Sequence, residues 1–436
     1  MKITVKKRSY EQVMALPRPK HKRPLKPNIF FRILIRLLAI PDLMSARFTY
    51  ETERMELVGK QPCLILMNHS SFIDLKIAYK IFFPRPMCTV CTSDGFVGGF
   101  PGMNLLMRLI GCIPTNKFVS DIRLIGNMQY ALREKKCSVL MYPEASYSFD
   151  GRATPLPRKL GVLLKKLNVP VVTVITEGAF SREPLYNCLQ KRSKVPVHAR
   201  VRCLLTPEEI RERSVAELDA MLDEAFSFDG FAWQRENHVE IDEPFRADGL
   251  NRILYRCASC GTEGKMEGKG IHLKCHHCGK VYEMDKLGRL RALGGETEFP
   301  HIPDWNAWQR EEVRRELEAG TYSLDVDVDI GMLVDHKAIY MVGEGHLHHD
   351  ENGFTLTDCD GKLQYSQGPL TCYSLYSDYY WYEIADMICI GTNDELYYCF
   401  PKGGDVVSKT RLATEELYKM KKRRPRRVKA EEAAVV

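Results

Sequence analysis

Seven residues, Asn68-His69-Ser70-Ser71-Phe72-Ile73-Asp74, set a histidine five positions before a carboxylate. With His69 at the mouth of a strand and Asp74 in the first turn of the next helix, the pair makes a base and its orienter. Asp74 accepts from one imidazole nitrogen and leaves the other free to take a proton. No serine or cysteine nucleophile is built into the stretch, which suits direct proton abstraction from an incoming hydroxyl. A plainer role also fits, because Ser71-x-x-Asp74 matches a capping box and Ser70 or Ser71 can cap the helix.

Two further groups of residues could do chemistry. Tyr142-Pro143-Glu144-Ala145-Ser146-Tyr147-Ser148 and Gly111…Lys117 bring a glutamate, hydroxyls and a lysine to strand ends, a set suited to a polar, anionic headgroup. Cys257-x2-Cys260-Gly261 and Cys275-x2-Cys278-Gly279 have the spacing of a four-thiolate zinc ribbon. Free thiols or a redox pair are the other readings of those cysteines. A closed ribbon is structural, and His276 and His277 are bystanders beside it.

These residues need elements to position them. Cys63–Met67 is an unbroken apolar run, as in a strand buried on both faces, and open α/β sheets put their sites at the carboxyl ends of such strands. From Tyr50 to about Val201, strand and helix alternate as a mostly parallel sheet requires. Cys63–Met67, Ser138–Tyr142 and Pro170–Ile175 are the strands, and Asp121–Lys136 is an amphipathic helix. The apolar, glycine-rich stretch between Phe96 and Ile113 is suited to covering an acyl chain, touching lipid or forming a buried loop. Upstream, Asn28–Ile40 reads as a helix stopped by Pro41, with Arg32 and Arg36 as one cationic stripe suited to the headgroup region of a bilayer; a helix packed on the protein core is the other reading. Pro207–Phe228 is helical and acidic and flanks the α/β unit.

Past the cysteines, Gly294–Pro303 links to a charged helix, Asp304–Gly320. Ser323–Tyr398 then reads as consecutive strands, with hairpins at Asn352-Gly353 and Asp360-Gly361. Gly343-Glu344-Gly345 reads as a turn, and His346, His348 and His349 as exposed loop residues. A helix over Asp405–Lys421 closes this β-rich unit, which looks similar to pleckstrin-homology-like modules. The layout is a basic arm and interfacial helix (1–45), the α/β domain (46–245), a zinc ribbon (250–292), a linker and helix (293–320), the β-rich domain (321–420) and a basic tail (421–436).

The formal charge of +7 over 436 residues gathers at the ends, from Lys6 to Lys26 and from Lys419 to Lys429. Such ends suit an anionic membrane surface. Nucleic acid is disfavoured, because the basic tracts lack interleaved aromatics and no reading motif is present. No apolar run reaches membrane-span length. Fifteen cysteines, several inside apolar runs, and no signal-like start point to reduced thiols, and so to a cytoplasmic protein peripheral on the inner face of the cell membrane.

Asn68-His69-x4-Asp74, Gly111…Lys117, Tyr142-Pro143-Glu144-Ala145-Ser146 and Val169-Pro170-Val171-Val172 resemble, in order and spacing, the four motifs of the glycerolipid acyltransferase family. The 1-acylglycerol-3-phosphate acyltransferases are its commonest bacterial members. The resemblance covers about Leu34 to Thr176. It implies that His69 is the general base, that Asp74 fixes its tautomer, and that Asn116, Lys117, Glu144 and Ser146 hold the acceptor. The donor would be acyl-CoA or acyl carrier protein and the acceptor a lysophospholipid. The chain departs from the pattern by carrying Ala145-Ser146-Tyr147 where Gly-Thr-Arg is usual, so an arginine is missing from the third motif. Arg152 and Lys159 are candidates to replace it. The departure also leaves open a different lysolipid acceptor, and a binding protein without catalysis is the reading from another class.

Overall fold

The structure is a computed structural model that describes residues 2–423 apart from 120, 159, 189, 193 and 359. Lys159 and the basic tail beyond Arg423 lie outside the described residues.

The α/β unit is built on a seven-stranded sheet. Its order is Thr49–Glu53, His198–Leu205, Val171–Glu177, Leu64–Met67, Ser138–Met141, Met87–Thr92 and Cys112–Thr115. Every neighbouring pair is parallel except Val171–Glu177 with His198–Leu205, so the sheet is mixed but mostly parallel, as expected. Leu64–Met67 lies at its centre. Side chains alternate along a strand, so Leu64 and Leu66 join Val139 and Leu164 on one face. Ile65 and Met67 join Ile77 and Val172 on the other. That two-sided burial is why the strand reads as an apolar run. The stretch after Phe96 forms a helix, Met103–Leu109, before the edge strand Cys112–Thr115.

The cysteine module is a four-stranded antiparallel sheet ordered Leu290–Ala292, Val281–Met284, His272–Cys275 and Met266–Lys269. The third sheet is a meander of seven strands. Its order is Gln364–Gln367, Gly353–Asp358, Ile339–Asp350, Leu324–Leu333, Leu396–Pro401, Ala385–Gly391 and Tyr376–Trp381, followed by the helix Val406–Arg423. That helix is buried at Val407, Leu412, Ala413 and Leu417. One apolar cluster runs through Phe149 and Phe231 of the α/β unit, Leu273 and Tyr282 of the cysteine module, Trp305, Ile330 and Leu412. Loops and helices of the α/β unit therefore share a core with the other two sheets, while the seven-stranded sheet packs into clusters of its own.

Four local expectations are corrected. The arm is partly ordered, because Val5–Lys7 adds an eighth strand parallel to Ile339–Met341, along the part of that strand's edge that Gly353–Asp358 leaves unpaired. The first long helix runs from Ile29 to Ser45, through Pro41, because Pro41 faces solvent while Leu43 and Ala46 beyond it pack into the core. Its arginines are turned inward: Arg32 donates to the Pro84 carbonyl at 2.7 Å and Arg36 lies over the Phe83 ring. The exposed face is apolar instead. Finally, Gly343 to His349 lie inside the strand Ile339–Asp350 rather than in a turn and loop. His349 is buried there, stacked on Phe354 at 3.8 Å and hydrogen-bonded to the Tyr322 hydroxyl.

Candidate active site at the carboxyl ends of the central strands

Leu64–Met67 and Ser138–Met141 run parallel side by side, so the loops that follow them meet at one edge of the sheet. Asn68 locks the first loop to the next strand. Its side-chain oxygen accepts from the Thr176 amide (2.7 Å) and its amide donates to the Thr176 carbonyl (3.0 Å). The chain can then turn at His69.

The Asp74 carboxylate organises that turn. One oxygen, Oδ2, accepts from the Ser70 amide (2.8 Å), the Ser71 amide (3.0 Å) and His69 Nδ1 (3.0 Å). Asp74, the first residue of the helix Asp74–Phe82, thus braces the turn before it, and Ser71 Oγ accepts from the Ile73 amide at 3.4 Å. An ionised acceptor on Nδ1 requires the proton there, which leaves Nε2 with its lone pair. Nε2 has no hydrogen-bond partner among the described residues. The imidazole is stacked between Tyr142 at 4.0 Å and Tyr147 at 3.8 Å, centroid to centroid, and its side chain is 16% exposed. Burial pushes its pKa below the usual histidine value, and the Asp74 carboxylate opposes that shift. The ring is therefore neutral at pH 7, the state that can accept a proton.

Glu144 holds the second loop to the first. One carboxylate oxygen accepts from the His69 amide (2.9 Å), the other from the Thr154 amide (2.8 Å). Both oxygens are committed to backbone, so the geometry gives Glu144 a positioning task. Its burial raises the pKa to about 7, against the stabilising pull of those two amides. Ala145 next to it has φ +53°, a left-handed conformation that costs a non-glycine residue about 1 kcal/mol.

The remaining expected residues face the C-terminal domain. The Asn116 amide donates to the Thr392 and Asn393 carbonyls. Lys117 lies 4.2 Å over the Tyr376 ring and 5.9 Å from that of Tyr147. Burial lowers its pKa, partly offset by Asp378 and Asp94. The Ser146 hydroxyl donates to the Tyr147 carbonyl and accepts from Arg411 Nη1 at 3.1 Å. Arg152 is spent elsewhere, on Asp229 and Asp304, and does not replace the missing arginine. The stacking tyrosines, Tyr376, Asp378 and Arg411 belong to the candidate site and were missed by sequence reasoning. Tyr142 and Tyr147 lay within a noted motif, but nothing in their neighbours pointed to the contacts made by the other three.

The four cysteines converge. Their sulfurs lie within 4.8 Å of one another, with Cys257 to Cys278 and Cys260 to Cys275 both 3.8 Å. Tetrahedral coordination with metal–sulfur bonds of about 2.3 Å sets sulfurs about 3.8 Å apart, so the set fits a metal ion. Gly261 (φ +74°) and Gly279 (φ +77°) make the turns that aim each pair, their amides donating to the Cys257 and Cys275 carbonyls. His276 and His277 bond instead to Glu267 and Thr262.

No helix among the described residues is long and apolar enough to cross a membrane.

Residues 47–177 match the family model described as Acyltransferase. The 1-acyl-sn-glycerol-3-phosphate acyltransferase of Limnanthes alba is 29% identical over 122 residues, covering 27% of this chain and 42% of that protein. The Saccharomyces cerevisiae enzyme of the same description is 25% identical over 182 residues, covering 38% of this chain and 57% of that one. The match thus spans about half the length of these relatives. The crystal structure of the 1-acyl-sn-glycerophosphate acyltransferase PlsC from Thermotoga maritima is 15% identical, covering 48% of this chain and 80% of that chain, with a TM-score of 0.36. The stretch 47–177, which carries the motifs, thus matches the acyltransferase family, and a cysteine module and a β-rich sheet follow it in the chain.

Proposed function

We propose that the protein transfers a fatty acyl group from an acyl thioester to the hydroxyl of a lysophospholipid, foremost 1-acylglycerol-3-phosphate to give phosphatidate. The observation that carries this reading is the His69–Asp74 pair, 3.0 Å apart at the carboxyl ends of the sheet, with Nε2 unpartnered. Nε2 takes the proton from the acceptor hydroxyl as its oxygen attacks the thioester carbonyl. The C–S bond then breaks, and the departing thiolate receives the proton back from the imidazolium. A thioester is already activated, so a base, alignment and an anion-binding wall suffice. Glu144 keeps the base in register by holding the His69 amide.

The relatives' printed activity supports this acceptor. Coenzyme A and acyl carrier protein both fit the donor's chemistry. Zinc is the metal that best suits four thiolates at these separations, and in a closed set it braces the core rather than taking part in transfer. The seven-strand meander, its first strand paired to its last and followed by one helix, supports the pleckstrin-homology-like reading. The helix Ile29–Ser45 exposes Phe30, Leu37, Leu38 and Met44, a face that suits insertion into a bilayer surface and delivery of lipid acceptor.

The test is release of free thiol from an acyl-CoA by the purified protein. Release must require lysophosphatidate and must vanish in His69→Ala while circular dichroism and melting stay unchanged. Turnover at the wild-type rate in that variant overturns the mechanism.

A further inference from the structure

The C-terminal helix reaches the active-site loop. Arg411 is 5% exposed and spans the gap between the two units. Its Nη1 donates to the Ser146 hydroxyl at 3.1 Å, its Nε donates to Glu415 at 3.3 Å, and the guanidinium lies 4.4 Å over the Phe149 ring. Two residues before Ser146, Glu144 grips the amide of the base. Glu415 is itself held by Arg310 and by the Ser374 hydroxyl, so Arg411 is fixed from behind. Its Nη2 carries two further donors and has no partner among the described residues.

A second cation, Lys117, lies 5.9 Å from the ring of Tyr147, the residue after Ser146. Lys117 makes no ion pair among the described residues and lines a small cleft with Ser374, Tyr376 and Cys389. Burial lowers the Lys117 pKa and the nearby charge of Arg411 adds to that, while Asp378 and Asp94 oppose it. Glu415 is shared with Arg310, while burial raises both Glu144 and Asp378 to about 7. Two buried cations flank the loop of Ser146 and Tyr147, one with spare Nη2 donors, an arrangement that suits an anion.

We propose that Arg411 of the C-terminal helix and Lys117 of the acyltransferase domain together bind the phosphate of the acceptor, so that the appended domain selects the acceptor. This rests on the acyl-transfer reading for its substrate. The guanidinium offers a planar fork to phosphate oxygens that lysine cannot. Arg411 is a binding residue and takes no proton in the reaction.

The experiment compares lysophosphatidate with monoacylglycerol carrying the same chain, using the full-length protein and its Arg411→Ala and Arg411→Lys variants. Arg411→Ala is expected to raise KM for lysophosphatidate at least thirtyfold with kcat changed less than threefold. Its loss in kcat/KM for lysophosphatidate should exceed that for monoacylglycerol at least tenfold. Arg411→Lys, which keeps the charge and most of the packing, should recover part of that selective loss. Equal losses for both acceptors, or no change in KM, overturn the proposal and leave Arg411 a pin between domains. Should Arg411→Ala fail to fold, Arg411→Lys decides alone: a selective rise in KM supports the proposal and unaltered selectivity overturns it. Calorimetric binding of glycerol 3-phosphate needs no turnover. If wild type binds it, Arg411→Lys weakens that binding and no acyl-CoA is consumed, only the acyl-transfer reading fails. If wild type does not bind it, the anion site fails.

Discussion

Replacing Asp74 by asparagine separates its two tasks. The remaining oxygen can still accept from the Ser70 and Ser71 amides, which lie 2.8 and 3.0 Å from Oδ2, so the turn into Asp74–Phe82 survives. What disappears is the negative charge beside His69. When the imidazole takes the substrate proton it becomes a cation, and a carboxylate about 4 Å away is worth about 4 kcal/mol at an effective dielectric of about 20. At about 1.36 kcal/mol per tenfold, the variant should lose about a thousandfold in kcat. The KM for acceptor should move little. The new amide nitrogen takes the position of Oδ1, which is buried without a partner, so a stability loss of about 1–3 kcal/mol accompanies the kinetic one. The pH profile carries a signed expectation as well. His69 sits below 6.5 through burial, so kcat/KM in the wild type falls only as pH drops through that lowered value. Asp74 is what raises the pKa against burial, so its neutralisation moves the acid limb still lower. Thiol release measured from pH 4.5 to 8 reads both effects. A loss below tenfold, or an acid limb that shifts upward, would refute the base-and-orienter reasoning and leave Asp74 as a brace of the turn.

Metal analysis of purified protein should find a single zinc ion per chain, lost in Cys257→Ser but retained in His277→Ala. Because Cys257 and Cys275 are buried in the core that also holds Trp305 and Leu412, loss of the metal should lower the melting temperature of the whole protein; equal metal content and melting in wild type and Cys257→Ser would contradict the assignment. Leu37 and Leu38 are 56% and 66% exposed on the first long helix. Each is worth about 1.5–3 kcal/mol if buried in lipid, so Leu37→Asp with Leu38→Asp should weaken flotation with phosphatidylglycerol vesicles a hundredfold or more, and unchanged partitioning would count against the helix as the docking face.

The features readable from the chain were those set by near neighbours. His69 and Asp74 are five residues apart, and a helix starting at the carboxylate is enough to bring them together. Each cysteine pair is aimed by a single turn with a glycine, and the central strand announces itself because both its faces are buried. The fold class followed from the same local periodicities. Other features depend on packing between distant parts. Whether Arg32 and Arg36 face headgroups or the Pro84 turn depends on what the rest of the helix surface meets, and here the carbonyl of Pro84 and the ring of Phe83 claimed them. Val5–Lys7 reads as a solvated arm until an unpaired stretch of edge more than three hundred residues away supplies its hydrogen bonds. Arg411 reaches Ser146 across 265 residues, with no periodicity or motif linking them. A chain encodes its turns and strands through bonds it makes with itself nearby. The charges that finish a pocket arrive from wherever the shared core carries them, and that is fixed only once the units have packed together.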